Sequence, residues 1–372
     1  MDPFKFGQVV SDRDFCPRPE LIESVTGNIR QGQNIYVQGE RRIGKTSLIC
    51  EAIRRLKNYR TVYVDLFGVK SSDILAKRMV TAIISMEQKE DGVFVKMLKT
   101  FAYLRPSLSV DPITGVPSVS LDASFKMTSD NIESVLDLIA SMQTAKKPLV
   151  VVFDEFQDVL KFKDGYETLA VMRSKIQFHS DISYVFAGSL RNKMDEIFIN
   201  PDSPFFKSAV LIAVGPLAET SFKDFIIKRF AGGERCISKD ALDRIFLIAG
   251  NVSGDIQQLC SSLWALTNPG GSIKQNDIPK ALELIFARES KVYEADLDTI
   301  SEQQLKCLTG IARLGGKKPA SSRFLMHIGI PSSASVLKAL NRLIQLRIIF
   351  KAGDEYKFAN PFFRAWLIYK NF

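Results

Sequence analysis

Five short Val/Ile-rich runs punctuate the first 215 positions, at 34–38, 61–66, 149–153, 182–187 and 210–214. Between them, apolar residues recur at helical spacing. β-branched runs of this length, alternating with helical patterns, predict parallel strands covered on both faces. Right-handed crossovers then give an α/β fold with three layers. Ahead of the first strand, residues 19–31 read as a helix, with Pro19 in its first turn, Leu21, Ile22 and Val25 as apolar positions, and Gly32 after its end. One segment breaks the alternation. Residues 107–110 and 119–121 flank Asp111-Pro112-Ile113-Thr114-Gly115, which predicts an inserted β-hairpin over 104–126.

Strand signals stop after Gly215-Pro216-Leu217. Residues 218–230, 238–249, 254–267 and 275–288 carry amphipathic helical patterns, separated by Gly232-Gly233 and Asn268-Pro269-Gly270-Gly271. From Ser301 the pattern is three helices and then a hairpin about Gly353. The expected organisation is a linker helix over 1–32, a core over 33–217, a helical lid over 218–298 and a last domain over 299–372.

Composition narrows the function classes. No run of 18 apolar residues exists, so no membrane insertion is expected, and the first residues lack the pattern of a secretory signal. Five cysteines scattered without C-x-x-C spacing fit reduced thiols in the cytoplasm. His179 and His327 stand far apart with no neighbouring cysteine, which argues against zinc. The charge is uneven. Residues 300–372 hold seven Lys and five Arg against Glu302, Asp354 and Glu355, so the whole net charge of +9 falls there and marks a separate basic module.

Gly39-Glu40-Arg41-Arg42-Ile43-Gly44-Lys45-Thr46 fits G-x-x-x-x-G-K-[ST], the phosphate-binding loop of nucleoside triphosphatases. Its context agrees, with a strand running in and a helix from Ser47 running out, and Gly39 through Ser47 are the expected nucleotide contacts. Gly39 and Gly44 let the backbone curl so that N–H groups meet the phosphates, and the helix N-terminus adds partial positive charge. Lys45 is expected to reach the β- and γ-phosphates, and Thr46 to hold Mg2+. The run 148–153 ends in Asp154-Glu155, an apolar strand with two carboxylates at its tip. Asp154 is expected at the metal and Glu155 at the attacking water, with Lys45 the other catalytic group. Ser189 closes the next strand, where a nucleotide sensor and an ordinary strand-end serine are both open readings. Asn192-Lys193-Met194-Asp195 matches the guanine-reading N-K-x-D. It follows Gly188-Ser189-Leu190-Arg191 instead of starting at the strand tip, and Asp154-Glu155-Phe156-Gln157 lacks the D-x-x-G form, so ATP is the expected nucleotide.

These residues resemble the archaeal-type ATPase family, in the STAND-like branch of AAA-related P-loop ATPases. The likeness runs through 39–48, Phe153-Asp154-Glu155-Phe156-Gln157, Gly188-Ser189 with Met194 and Phe198, Gly215-Pro216-Leu217, and Asn360-Pro361-Phe362-Phe363-Arg364-Ala365-Trp366-Leu367. It implies a core strand order of 5-1-4-3-2, an ATP site and a C-terminal winged helix. Two positions depart from the pattern. Lys207 stands where the family carries an arginine, which keeps the charge and loses the bidentate fork. Ser253-Gly254-Asp255-Ile256-Gln257 is similar to the G-D-A-R helix start of replication-initiator AAA+ proteins, with Gln257 in place of the arginine. Arg173 and Arg191 are the candidates for an arginine acting in trans, in a nucleotide-dependent oligomer.

Residues 332–346 would be the recognition helix of a winged helix-turn-helix. Val336, Leu337, Leu340, Leu343 and Ile344 form the expected buried stripe, with Ser335, Lys338 and Arg342 on the other face and Lys351 and Lys357 beside the wing. Two partners suit that surface: duplex DNA, through salt-sensitive phosphate contacts, or a protein docked on a basic face. The expected function is an ATP-hydrolysing switch, and the alternative is a DNA-binding regulator or initiator tuned by ATP.

Overall fold

The computed structural model describes residues 2–87, 107–110, 117–120, 129–189 and 191–372. It divides into two compact units, Val9–Gly215 and Met1–Gln8 with Pro216–Phe372.

The first unit is built on five parallel strands, β1 (Ile35–Gly39), β2 (Arg60–Asp65), β3 (Leu149–Asp154), β4 (Ile182–Gly188) and β5 (Val210–Val214). Their order is β2-β3-β4-β1-β5, the expected 5-1-4-3-2 read from the other edge. β3 and β4 are buried along their whole length, which explains their unbroken apolar sequence. Alternate residues feed two cores. Val150, Val152, Val185 and Val37 meet α1 (Pro19–Arg30) and α2 (Lys45–Arg54). Val151, Phe153, Tyr184 and Phe186 meet α3 (Ser72–Glu87), α4 (Ser129–Ser141), α5 (Gly165–Ile176) and α6 (Arg191–Phe198). The register pairs Asp65 with Asp154, Phe153 with Phe186, and Gln38 with Gly188. The loop after β1 and the acids at the tip of β3 therefore leave the sheet at its carboxyl edge.

Two expectations need adjustment here. β5 is an edge strand, and its Val210 and Leu211 are 43% and 44% exposed instead of covered. An edge strand and a central one share the same β-branched composition. The hairpin pairs Ser107–Val110 with Pro117–Ser120, so the second arm starts two residues earlier than its sequence suggests. Residues 104–106, 111–116 and 121–126 of the expected insertion lie outside the described residues.

The second unit carries α7 (Glu219–Ala231), α8 (Lys239–Ala249), α9 (Ser253–Leu266) and α10 (Ile278–Asp298). The last of these runs ten residues beyond the expected end. Cys236–Ile237 also pairs with Ser272–Ile273, a two-residue parallel ladder too short to show as a pattern. Residues 2–8 pack here. Phe4 lies 4.5 Å from the Phe230 ring, and Asp2 accepts from Ser261 Oγ at 2.6 Å.

Then follow α11 (Glu302–Leu314), α12 (Ser322–Ile328), α13 (Ser333–Gln345), the antiparallel pair β6 (Ile349–Ala352) and β7 (Glu355–Phe358), and α14 (Pro361–Tyr369). The C-terminal sequence motif is structural. Asn360 caps α14, Arg364 Nε donates to Ala312 O at 3.0 Å, and Phe363 stacks 5.0 Å from Tyr293. On α13 the buried stripe is Val336, Ala339, Leu340 and Leu343. Leu337 is 43% exposed, which corrects its expected burial. At 100° per residue it stands well off the line through 336, 340 and 343, whereas Ala339 flanks that line more closely.

Candidate nucleotide site

The loop is shaped by two glycines. A Cβ on Gly39 would meet Val214 O at 2.5 Å, and Gly44 sits at φ 96°, in the left-handed region that favours glycine. α2 begins at Lys45 immediately after it, so the free N–H groups of its first turn face the loop. Glu40, Arg41 and Arg42 are exposed and Ile43 is buried. Lys45 is only 6% exposed, and its Nζ donates to Gly39 O at 3.1 Å and Glu40 O at 2.9 Å. Burial draws its pKa below the ordinary lysine value, and Glu155 and Asp154 pull it back up. The ammonium thus stands inside the loop with both acids acting on it.

The hydroxyl of Thr46 donates to Asp154 Oδ2 at 2.8 Å, joining α2 to the tip of β3. Asp154 Oδ1 accepts from Glu155 N at 2.9 Å. Tyr63, from the neighbouring β2, donates to the same Oδ2 at 2.5 Å. Burial, and next the Asp154 charge, push its phenol far above the ordinary tyrosine range, so it remains a donor. Glu155 takes a left-handed backbone at φ 52°. Its Oε2 accepts from Ser189 Oγ at 2.8 Å and from Gln157 Nε2. The other amide atom of Gln157, Oε1, is buried without a donor.

The donor set fits magnesium. A hydroxyl and a carboxylate, both hard oxygens, stand side by side where a triphosphate would enter, and Mg2+ at such loops is held by one or two protein oxygens plus phosphate oxygens. Among the described residues, no group of three or more His, Cys, Asp or Glu side chains could hold a metal ion.

The site is braced from outside the motif. Arg18, 9% exposed, donates to Ile43 O at 3.0 Å and to Gly215 O at 2.6 Å, tying the loop to the residue that closes the unit. Val10 N donates to Ser47 Oγ at 3.1 Å, so Ser47 is engaged with the preceding segment.

Among solved structures, the Walker-type ATPase PABY2304 of Pyrococcus abyssi is similar to this chain with a TM-score of 0.65 at 17% identity, over 98% of this chain and 99% of that one. A family model described as "Probable winged helix domain" matches residues 291–369. The chain has the fold of a P-loop ATPase ending in a winged helix. Two further likenesses extend over the same span. The ORC2 protein of Aeropyrum pernix, solved as ADPNP and ADP complexes, gives a TM-score of 0.52 at 13% identity over 99% of this chain and 98% of that one. The ORC1 protein of Aeropyrum pernix, solved in complex with DNA, gives 0.51 at 13% over 96% and 95%. Among curated proteins, protein Ycf2 of Spinacia oleracea is 23% identical over 194 residues, which is 49% of this chain, and the chain spans 9% of that protein's length. No helix among the described residues is long and apolar enough to cross a membrane.

The structure thus brings residues 39–47, Asp154, Glu155 and Ser189 to one edge of one unit. Lys207 is exposed, with its Nζ 5.1 Å from the Phe206 ring, and Arg173 is half-buried on α5. The Arg191 side chain lies outside the described residues. Gln257 is buried in α9 of the other unit. Asp195 of the N-K-x-D segment sits within α6 and accepts from Gln38 Nε2 at 2.9 Å. In the winged helix, Lys338 and Arg342 are exposed and Ser335 is half-buried. The register of β6 and β7 sets Lys351 opposite Tyr356 and Lys357 opposite Phe350, so the two lysines point to opposite faces of the hairpin. Sequence reasoning missed Arg18, Tyr63 and the part played by Gln157. Gln157 stood inside the quoted D-E-F-Q element, but Arg18 and Tyr63 carried no local signal.

Proposed function

We propose that this chain binds ATP with Mg2+ at residues 39–47 and hydrolyses it, working as a nucleotide-gated switch of the AAA/STAND type. The observation that carries the reading is the hold on Glu155 by Ser189 and Gln157, beside the Thr46–Asp154 pair. Backbone N–H groups of the loop, the α2 N-terminus and Lys45 would bind the phosphates. Thr46 and Asp154 would hold magnesium, which when bound neutralises charge on the β- and γ-phosphate oxygens. Glu155 orients the attacking water and accepts its proton.

Gating follows from the hydrogen bonds. Ser189 has one hydroxyl proton, and turning it toward a γ-phosphate takes it from Glu155. Gln157 holds Glu155 with one half of its amide while the other half has no donor, so this arrangement is poorly satisfied and readily exchanged. A nucleotide that frees Glu155 would bias a two-state arrangement of the chain.

The second reading is a DNA-binding regulator or initiator whose nucleotide tunes its assembly into an oligomer. It is favoured by the gathering of the whole net charge in 300–372, and by the likeness to a fold solved with DNA bound. Multiple-turnover ATP hydrolysis, measured with and without duplex DNA alongside solution mass, separates the two. Turnover that vanishes in Glu155→Gln, at any salt, supports the switch. Slow hydrolysis with ATP-dependent, salt-sensitive duplex binding supports the regulator. Absence of nucleotide binding by calorimetry defeats both.

A further inference from the structure

Three donors from three elements meet the Asp154 carboxylate. Thr46 Oγ1 comes from the loop helix at 2.8 Å, Tyr63 OH from β2 at 2.5 Å, and Glu155 N from the next peptide at 2.9 Å. Of these, only Tyr63 belongs to neither of the two nucleotide motifs. β2 places it there because its register runs Tyr63 opposite Val152 and Asp65 opposite Asp154, with the half-buried Tyr63 ring leaning along the strand toward its end.

Tyr63 and Thr46 share one oxygen, Oδ2, and the two bonds differ in what becomes of them. Ligating a cation would use a lone pair of the Thr46 hydroxyl, so the orientation of that hydroxyl, and with it the bond to Oδ2, would answer to the cation as well. The phenol has no such second task, so its bond persists and keeps the carboxyl plane where it is. An aspartate at a strand tip with only a backbone N–H to hold it would keep rotamer freedom, which must be lost when a cation binds. We infer that Tyr63 is a positioning residue for the metal-holding carboxylate: its hydroxyl fixes Asp154 against Thr46, and so sets how strongly a divalent cation and a nucleotide phosphate favour each other at this loop. The inference rests on the nucleotide reading above and adds to it a residue that touches neither ligand.

The test is the coupling between metal and nucleotide, measured as ADP affinity by calorimetry with Mg2+ and again with EDTA. The ratio of the two affinities should be several-fold to about tenfold smaller in Tyr63→Phe than in the wild type, the size of one hydrogen bond to a charged group. The EDTA value should not move. In an Asp154→Asn background, adding Tyr63→Phe should change the ratio no further. Equal weakening in both conditions would mean that the hydroxyl supports the loop without acting on the metal, and two unchanged affinities would mean that it is idle; either overturns the inference while leaving the nucleotide site intact. A wild-type chain that binds ADP in neither condition removes the nucleotide reading, and Tyr63's role with it. One measurement needs no variant. The Cζ resonance of labelled Tyr63 should shift when Mg2+ joins bound ADP and stay still when ADP alone is added. A resonance indifferent to Mg2+ counts against the assignment.

Discussion

Ser189 Oγ donates to Glu155 Oε2 across 2.8 Å, linking the end of β4 to the residue that follows β3. One hydroxyl proton cannot serve Glu155 and a phosphate oxygen together, so under the proposed switch this bond is where nucleotide state would be read. Ser189→Ala should lower kcat about tenfold, the scale of one hydrogen bond to a charged group. ATP affinity should change little, because Lys45 and the loop amides remain. Single-turnover hydrolysis beside calorimetric ATP binding checks this. A serine that only closes a strand would leave kcat where it was.

Lys45 stands within the loop, its ammonium shared between two loop carbonyls. If the loop binds a triphosphate as proposed, removing it takes away a charge-assisted phosphate contact worth about 1.5–3 kcal/mol, or roughly ten- to a hundredfold in affinity. Lys45→Ala should therefore bind ATP weakly or not at all by calorimetry. Unchanged affinity would take the phosphate site away from residues 39–46.

Much of this arrangement could be read from residue order because it depends on short-range rules. Gly39 and Gly44 are demanded by a backbone curl, and a strand ending in Asp154-Glu155 puts its acids at a sheet edge whatever lies around it. The strand order followed from a resemblance, and coordinates bear it out. What escaped reading depends on distant pairing. Arg18 lies far along the chain from Gly215, and only the fold brings the guanidinium to that carbonyl. Tyr63 looks like any aromatic in a strand until the register sets β2 beside β3. Leu337 and β5 failed for a shared reason: composition reports that a residue is apolar, while its exposure depends on whether a neighbour covers it.

Arg18 gives a prediction of its own. Both of its partners are backbone carbonyls, Ile43 O and Gly215 O, and burial draws its pKa below the ordinary arginine value. Arg18→Ala leaves two carbonyls short of a donor and should destabilise the chain by about 2–3 kcal/mol. ATP should bind less tightly as well, since Ile43 belongs to the loop. Arg18→Lys keeps the charge but cannot fork, so it should recover only part of either loss. Thermal unfolding with and without ATP separates these effects. A full rescue by lysine would show that charge alone matters.

Acid sensitivity should trace to Glu51. Its carboxylate accepts from Arg54 Nε and Nη2 at 3.0 Å each, from Arg55 Nε at 2.9 Å, and from Asp12 N at 3.3 Å. The Arg54 hydrogen bonds, against the opposing effect of burial, hold its pKa down to about 2 from an ordinary value of 4.5. The folded value lies below the unfolded one, so the stabilisation is complete above 4.5 and fades as pH falls toward 2. Glu51→Gln should be less stable at neutral pH and should flatten the stability curve over that window. Denaturant midpoints measured along a pH series give the slope, and an unaltered slope in the variant would place the acid sensitivity elsewhere.

The winged helix allows a prediction in which geometry divides residues that composition treats alike. Lys338 and Arg342 lie on the exposed side of α13, four positions apart and so on one face. If that face meets duplex DNA, each contact with a phosphate releases counterions, and Lys338→Ala with Arg342→Ala should flatten the salt dependence of binding by about two. Lys351 and Lys357 cannot both add to it, because the register turns them to opposite sides of the hairpin. Lys357 also stands 3.8 Å from Glu355, which already offsets part of its charge. One of the two single alanine variants should therefore leave the slope as it was, with Lys357→Ala the expected neutral one. Equal slopes for the wild type and the α13 double variant would remove this helix face from DNA binding.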